Sequence, residues 1–285
     1  MKVVAVGGGH GTAVTLRALK RISEDVAGVV SVADDGGSTG RLRAMLDVAA
    51  VGDLRKCLCA LADPDNPLTQ SFEHRFSRGE LNGHAVGNLL LVGILDATGD
   101  LEETVRTVAE VMGVKGLITP ASCEGVVLVA TTTDGTTRGQ SEVAATKGIR
   151  RVEVEPKNAA APIVAVEALE NADVIVIGPG SLFTSVLAAC VIPGILQAIA
   201  GSKALVIYVA NLHEQIPETE GFTLQDHIDA LHRHGVYPNV TLTDNKSPFA
   251  NQPCSVRQVC VDISKSNGLA HDEEKLARAI AAEMR

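Results

Sequence analysis

The residues best suited to chemistry lie in short glycine-rich segments that follow apolar runs. Residues 7–12, Gly-Gly-Gly-His-Gly-Thr, come directly after the apolar residues 3–6. Glycines let a backbone approach a ligand closely, and the N-terminus of a following helix carries partial positive charge. The segment therefore predicts a turn that binds phosphate or pyrophosphate. The predicted contacts are Gly8, Gly9, His10, Gly11 and Thr12. The alternative is a turn that only joins a strand to a helix, because the third glycine of the dinucleotide fingerprint is missing.

A second segment, residues 34–43, reads Asp-Asp-Gly-Gly-Ser-Thr-Gly-Arg-Leu-Arg. Carboxylates suit Mg²⁺ or sugar hydroxyls, while glycine N–H groups and arginine suit phosphate. The predicted ligand contacts are Asp34, Asp35, Gly37, Ser38 and Arg41, with Asp34 and Asp35 also as Mg²⁺ ligands. The alternative is a solvated turn in which an aspartate caps a helix. Like-charge repulsion between the aspartates predicts that Asp35→Asn leaves the melting temperature unchanged or raised.

Three further segments carry polar candidates. His84 and Asn88 are four residues apart on one face of a predicted helix start, and a buried Asn88 amide would need partners such as a base or sugar. Residues 178–185 predict a second anion-binding turn with contacts from Gly180 and Ser181, and the alternative is Ser181 as a helix N-cap. Asn211 begins a polar loop that is open to either a specificity role or a solvated one.

The elements that must position these residues follow from the apolar runs. Residues 3–6, 26–32, 173–177 and 204–209 predict buried strands, and 256–263 a late one. Helices are predicted over 53–62 (with Asp53 as N-cap or site residue), 85–98, 101–112, 162–170, 182–200 with a break at Pro193, 223–234 and 272–284. Strands that alternate with helices predict an α/β fold with a mostly parallel sheet, whose strand ends place the polar segments around one crevice.

The middle of the chain does not follow this alternation of strands and helices. Residues 126–133 are β-branched, Asp134-Gly135 is a hairpin signal, and residues 150–156 alternate charged and apolar side chains. This pattern predicts a β-rich insertion around 120–157 within a single domain of residues 1–285. It also predicts that the strand at 150–156 is half exposed and antiparallel.

Composition excludes several classes of protein. The 285 residues are 46% hydrophobic and 21% charged, which is typical of a globular chain. A net charge of −9 with 2% aromatic residues argues against nucleic-acid binding. The sequence shows no signal peptide and no apolar run that would span a membrane, and its six cysteines lack metal or redox spacing. These features predict a cytoplasmic location, and they leave a homodimer open.

Five segments in the same order resemble the YvcK family of gluconeogenesis factors. They are residues 7–12, 32–43, 52–55, 83–90 and 178–185. The resemblance implies a Rossmann-like fold with helices on both faces of the sheet, shared with the CofD-type phospholactate transferases. It also implies binding of nucleotide sugars, notably UDP-N-acetylglucosamine, and a bacterial role in cell shape and wall synthesis on gluconeogenic carbon sources.

Three functional hypotheses follow. The first is a regulatory protein that binds a nucleotide sugar or another nucleoside-diphosphate ligand, because phosphate-binding turns occur without a recognisable nucleophile. The second is a CofD-like, Mg²⁺-dependent transferase acting on a nucleoside-diphosphate donor, with the metal held by Asp34 or Asp35. The third is a dehydrogenase that binds NAD, which the incomplete glycine fingerprint disfavours.

Overall fold

A computed structural model describes residues 1–284. These residues contain ten strands: β1 (Lys2–Gly7), β2 (Asp25–Val30), β3 (Leu117–Pro120), β4 (Val127–Thr132), β5 (Thr136–Arg138), β6 (Ile149–Glu155), β7 (Val174–Ile177), β8 (Leu205–Val209), β9 (Val240–Asp244) and β10 (Arg257–Val261). Seven of them form a wholly parallel sheet in the order β10-β9-β8-β7-β1-β2-β3. The other three form a small antiparallel sheet in the order β5-β4-β6.

Twelve α-helices occur within the same residues. They are α1 (Gly9–Leu19), α2 (Gly37–Leu46), α3 (Gly52–Leu61), α4 (Pro67–Glu73), α5 (Val86–Thr98), α6 (Leu101–Met112), α7 (Gln140–Ala144), α8 (Ile163–Glu170), α9 (Ala188–Cys190), α10 (Pro193–Gly201), α11 (Leu224–Arg233) and α12 (Glu273–Glu283). A π-helical segment, Leu182–Leu187, leads into α9. Helix α1 packs against α3 and α12, and α8 packs against α10.

The strand order reverses at the centre of the large sheet. From β1 the chain builds outward through β2 to β3, and it then returns to the other side of β1 to place β7. Val3 on β1 pairs with Val26 on one side and with Val174 on the other, and all three side chains are buried. Open α/β sheets bind ligands beyond the carboxyl ends of the strands at such a reversal. The turns after β1 and β7 therefore occupy the position that most favours a ligand.

The α/β fold class, the mostly parallel sheet and the small β-rich insertion are confirmed, and the hairpin at residues 134–135 joins β4 to β5. Several predicted boundaries were wrong. Val51, not Asp53, is the N-cap of α3, and α2 begins at Gly37 where a loop was expected. The predicted break at Pro193 in the helix over 182–200 is confirmed, because α10 begins there, and the part before it is a π-helical segment followed by the short α9. That residues 1–285 form a single domain stays a prediction.

Within residues 1–284, no single helix is long and apolar enough to cross a membrane. The bent pair Leu182–Cys190 and Pro193–Gly201, whose two parts are inclined at 78°, meets the criteria by length and composition only when the two parts are taken together.

Candidate functional site

The turn after β1 (residues 7–12, the β1 turn) packs directly against the turn after β7 (residues 178–181, the β7 turn). A Cβ atom on Gly11 would lie 2.0 Å from the carbonyl oxygen of Pro179, so a larger residue would collide with backbone. The Thr15 hydroxyl donates a hydrogen bond to the Gly178 carbonyl at 2.8 Å. The structure therefore brings these two predicted segments together, and the contact with Pro179 explains why position 11 is glycine.

A cleft of about 610 Å³ approaches the β1 turn through Lys56, whose partner Asp53 contacts Gly8, although no residue of the turn itself lines the cleft. Its volume is in the range of small-molecule sites. The lining residues come from the segment after β2, from α3 and from the region around α5: Asp34, Gly36, Gly37, Ser38, Thr39, Arg41, Gly52, Arg55, Lys56, Arg75, Gly83 and Asn88. Of the predicted contacts, Asp34, Gly37, Ser38, Arg41 and Asn88 line this cleft. The sequence analysis did not identify Thr39, Lys56 or Arg75.

Two carboxylates lie near each other where the cleft approaches the β1 turn (the carboxylate end), and of these Asp34 lines the cleft. Asp34 accepts a hydrogen bond from the Gly36 N–H at 3.0 Å, and Asp53 Oδ1 accepts one from Lys56 Nζ at 3.0 Å. A Cβ atom on Gly8 would lie 2.7 Å from Asp53 Oδ2, which places this carboxylate against the turn. Burial, and then the charge of Asp53, raise the pKa of the Asp34 carboxyl. Such a pair is stabilised by a cation.

Asp35 points away from this pair. Its Oδ2 accepts the Gln140 N–H and its Oδ1 accepts the Ser141 N–H, both at 2.8 Å. The carboxylate therefore caps the N-terminus of α7 and fastens the β-rich insertion to the cleft. These hydrogen bonds give Asp35 a structural role. A ligand or Mg²⁺ role for this residue stays a prediction.

A buried polar network forms the floor of the cleft. Ser38 Oγ lies 3.0 Å from His84 Nδ1, and Asn88 Nδ2 donates to Ser38 Oγ at 3.1 Å. Arg55, only 5% exposed, donates from Nε to Asn88 Oδ1 at 3.0 Å. Burial, and then the charges of Arg41 and Arg75, lower the pKa of His84. The Asn88 amide therefore has protein partners, as a buried amide requires.

Within the β1 turn the predicted contacts differ in accessibility. Gly8 is buried, Gly9 has a φ of +71° and is half-buried, and His10 is exposed. Burial, and then the nearby Lys56 charge, lower the pKa of His10. The Thr12 hydroxyl donates to the Gly8 carbonyl at 3.1 Å and so holds the turn closed. The surface that the β1 turn offers to a ligand is therefore that of Gly9 and His10.

The β7 turn is closed by other parts of the same chain. Asn211 Oδ1 accepts the Gly180 N–H at 3.0 Å, and Asn211 Nδ2 donates to the Gly180 carbonyl at 2.8 Å. Glu218, 3% exposed, accepts the Phe183 N–H at 2.7 Å and the Thr184 hydroxyl at 2.9 Å. Burial raises the pKa of the Glu218 carboxyl. The described residues include no capping hydrogen bond from the Ser181 side chain.

A groove of similar size, about 640 Å³, lies between α1, α3, α4 and α12. Its arginines already have partners, because Arg17 and Arg21 both bind Glu273 at 2.9 Å. The Lys20 ammonium donates to the Leu61 carbonyl at 2.9 Å. The cleft beside the β1 turn, with free polar groups at the reversal point of the sheet, is the better candidate site.

Comparisons with known proteins identify the family of the chain. A family profile described as 2-phospho-L-lactate transferase CofD matches residues 3–284. A gluconeogenesis factor from Halalkalibacterium halodurans is 44% identical over 235 residues, which cover 81% of this chain and 73% of that protein. A relative from Deinococcus radiodurans is 45% identical over 251 residues, which cover 86% of this chain and 54% of that longer protein.

A solved structure shares the whole architecture. The crystal structure of a member of the UPF0052 family from Bacillus halodurans superposes with a TM-score of 0.91 at 36% identity, covering 98% of each chain. The predicted resemblance is thereby confirmed in sequence and in fold. The chain belongs to the CofD family and, within it, groups with the bacterial gluconeogenesis factors.

Proposed function

We propose that the chain binds a nucleoside-diphosphate-linked sugar of the UDP-N-acetylglucosamine class in the cleft beside the β1 turn. The observation that carries the proposal is the carboxylate end, where Asp34 and Asp53 converge beside a glycine turn at a helix N-terminus. The turn supplies N–H groups and partial positive charge, which suit phosphate. Lys56, which lines the cleft and contacts Asp53, adds a cation at the same end.

The residues at the carboxylate end fit Mg²⁺. Asp34, Asp53 and the Thr39 hydroxyl are oxygen ligands of the kind that Mg²⁺ prefers, and Asp34 and Thr39 both line the cleft. Across residues 1–284 no three His, Cys, Asp or Glu side chains gather into a metal-binding group. Protein Mg²⁺ sites often use only one or two carboxylates, with substrate phosphates and water completing the coordination. Asp34 and Asp53 would hold the ion, which would neutralise charge on a bound diphosphate.

The biological role that we propose is regulatory. The protein would bind the nucleotide sugar in the cytoplasm and support cell shape and wall synthesis during growth on gluconeogenic carbon sources. The designation of its relatives as gluconeogenesis factors supports this role. The floor of the cleft supports it as well, because Ser38, His84 and Asn88 are bonded to one another rather than arranged as a nucleophile and its base.

Binding is tested by calorimetry and thermal unfolding with UDP-N-acetylglucosamine, GDP-mannose and NAD, each with and without Mg²⁺. At about 100 times the dissociation constant a ligand adds about 2.7 kcal/mol of stability. We expect this gain with UDP-N-acetylglucosamine, larger with Mg²⁺, and its loss in Asp34→Asn. The control is Asp96→Asn, which removes the same charge from an exposed position on α5. No stabilisation by any of the three ligands would overturn the proposal.

A second candidate is a CofD-type transferase, and the paired carboxylates favour it because phosphoryl chemistry requires charge neutralisation at the diphosphate. In that reaction a substrate alcohol would attack phosphorus, and the nucleotide would leave with the electrons of the broken P–O bond. Mg²⁺-dependent release of UMP or GMP from a nucleoside-diphosphate donor, abolished in Asp34→Asn, would support it. Tight binding with no nucleotide released would leave the regulatory function as the better account.

A further inference from the structure

We propose that the end of the cleft formed by Arg41 and Arg75 (the guanidinium end) is a subsite for a second oxyanion. This group would be a carboxylate or phosphate that the ligand carries in addition to its diphosphate. The inference rests on the proposed function, because it concerns the part of the same ligand that lies away from the β1 turn.

The two guanidinium groups are held together by one short segment of backbone. Arg41 Nη2 donates to the Asn82 carbonyl at 2.9 Å, and Arg75 donates to the neighbouring Gly83 carbonyl. A Cβ atom on Gly83 would lie 2.9 Å from Arg41 Nη2, so Gly83 lets the guanidinium approach. Each guanidinium has five N–H donors in a fixed fork, so most of these donors stay available to a ligand.

The charge of this pair is not offset by the protein. Several other arginines bind carboxylates, as Arg106 binds Glu103 and Arg278 binds Glu274. No ion pair of Arg41 or Arg75 with an acidic side chain occurs in residues 1–284, although the chain has 34 acidic residues. Both arginines are exposed, and an anion bound between them would interact favourably with both charges.

The two ends of the cleft select different groups. Asp34 and Asp53 repel a free carboxylate, so they accept an anion only through a metal ion. The Ser38–His84–Asn88 network lies on the floor that the two ends share, and both arginines lower the pKa of His84. A metal-bound diphosphate suits the carboxylate end, and a free oxyanion suits the guanidinium end. Within the proposed class of nucleotide sugars, a ligand with an acidic or phosphorylated sugar is therefore expected to bind more tightly than one with a neutral sugar such as N-acetylglucosamine.

The test compares probes that differ by one group. Titration calorimetry with Mg²⁺ measures UDP, UDP-glucose and UDP-glucuronic acid, and in parallel the base-free pair glucose 1-phosphate and glucuronic acid 1-phosphate. We expect the wild type to bind each glucuronic form about tenfold more tightly than its glucose counterpart, since hydrogen bonds to charged groups are worth roughly that factor. Competition by inorganic phosphate and by acetate then distinguishes a phosphate subsite from a carboxylate one.

The variants are Arg41→Gln and Arg75→Gln, with Arg78→Gln as the matched control. Arg78 is exposed, lies three residues from Arg75 and does not line the cleft. Loss of the glucuronic preference in the first two variants, with UDP still bound by both and an unchanged preference in Arg78→Gln, supports the subsite.

The two proposals fail separately. Equal affinity of the wild type for glucose and glucuronic forms, with UDP still bound, overturns the subsite and leaves the proposed function intact. A preference confined to the base-free pair, with no nucleotide bound, supports the subsite and overturns the nucleotide function. If no probe binds, both are overturned.

Discussion

The β1 turn and the β7 turn have similar sequence patterns but differ in the side chains that contact them. Each follows a buried strand, is rich in glycine and leads into a helical segment. At the β7 turn, Asn211 binds both backbone groups of Gly180, and Glu218 accepts the N–H of Phe183. At the β1 turn, α1 has no acidic residue in its first turn and no side-chain capping hydrogen bond, although the Asp53 carboxylate lies against Gly8.

A glycine turn before a helix therefore identifies a place that suits an anion. It does not show whether that anion belongs to a ligand or to a side chain of the same protein. Glu218 lies 35 residues after Phe183, in a loop that folds back onto the β7 turn. Its carboxylate accepts the Phe183 N–H just after the β7 turn, a group that could otherwise bind an external anion. The β7 turn is therefore held by side chains of the same protein. We expect an external ligand at the β1 turn and in the cleft next to it.

Gly11→Ala should give the largest loss of stability, because it disrupts the packing between the two turns. The added Cβ atom would lie 2.0 Å from the Pro179 carbonyl, and backbone cannot move aside as a side chain can. We expect a loss of about 3 kcal/mol or more in the free energy of unfolding, measured by urea denaturation. The control is Gly93→Ala on α5, which meets no atom within 4 Å and should gain about 0.5–1 kcal/mol. Equal stability of the two variants would refute a direct packing of the turns.

Glu218→Ala should be the next most damaging change. It leaves the Phe183 N–H and the Thr184 hydroxyl without their acceptor in a buried place, at a cost of about 2–3 kcal/mol. Glu220→Gln, which breaks an exposed pair with Lys147, should cost less than about 1 kcal/mol. Urea midpoints of the two variants give the comparison, and a mild effect of Glu218→Ala would mean that the β7 turn is not held by this carboxylate.

The same residue predicts a dependence of stability on pH. Burial raises the pKa of Glu218 in the folded state, so the folded protein holds this proton more tightly than the unfolded chain does. The stability that this proton contributes is complete below the ordinary glutamate pKa and is lost as pH rises through the raised folded value. Glu218→Gln should lack this loss when unfolding free energies are measured across that range. Parallel curves for wild type and Glu218→Gln would contradict the assignment.

Substitutions of Asp34 and Asp35 should differ in their effects on ligand binding and on stability. Asp35→Asn weakens the cap of α7 and should cost about 1 kcal/mol, which reverses the sequence-based expectation of unchanged or raised stability. Asp34→Asn removes repulsion from Asp53, so it should leave stability unchanged or raised while abolishing Mg²⁺-dependent binding. Thermal unfolding with and without Mg²⁺ and ligand checks both. Loss of binding in Asp35→Asn alone would restore Asp35 as the metal residue.

The strands that carry the turns were predictable, because β1, β2, β7 and β8 are uninterrupted apolar runs that suit a sheet buried on both faces. Strand β9 was missed because its buried positions include Thr241 and Thr243, which resemble a polar segment in sequence. Strand β3 has only four residues and ends at a proline. Helix α2 was missed because its first turn, Gly-Ser-Thr-Gly, resembles a loop.

The candidate site was predictable only where local spacing determined it. The segment at 34–43 was identified, and Asp34 lines the cleft. The roles of Asp53, Arg75 and Glu218 depend on segments that meet only after folding. Asp53 reaches Gly8 because α3 packs against α1, and Asp35 turns toward α7 because the β-rich insertion lies beside it. Because Asp34 and Asp35 are adjacent in the sequence, both were predicted to bind the same ligand. In the fold, Asp34 lines the cleft and Asp35 caps α7.

Ser38→Ala should have the smallest effect, and it tests whether the open region differs from the closed one in its access to water. The change removes the partner of His84 Nδ1 and of an Asn88 N–H, as Glu218→Ala removes the partner of two donors. Ser38 and Asn88 line the cleft, however, so water can replace the lost hydroxyl. We expect a loss of no more than about 1 kcal/mol by urea denaturation, well below that of Glu218→Ala. A loss as large as that of Glu218→Ala would show that the floor of the cleft is as dry as the β7 turn, and a ligand would then have no hydrated floor to enter.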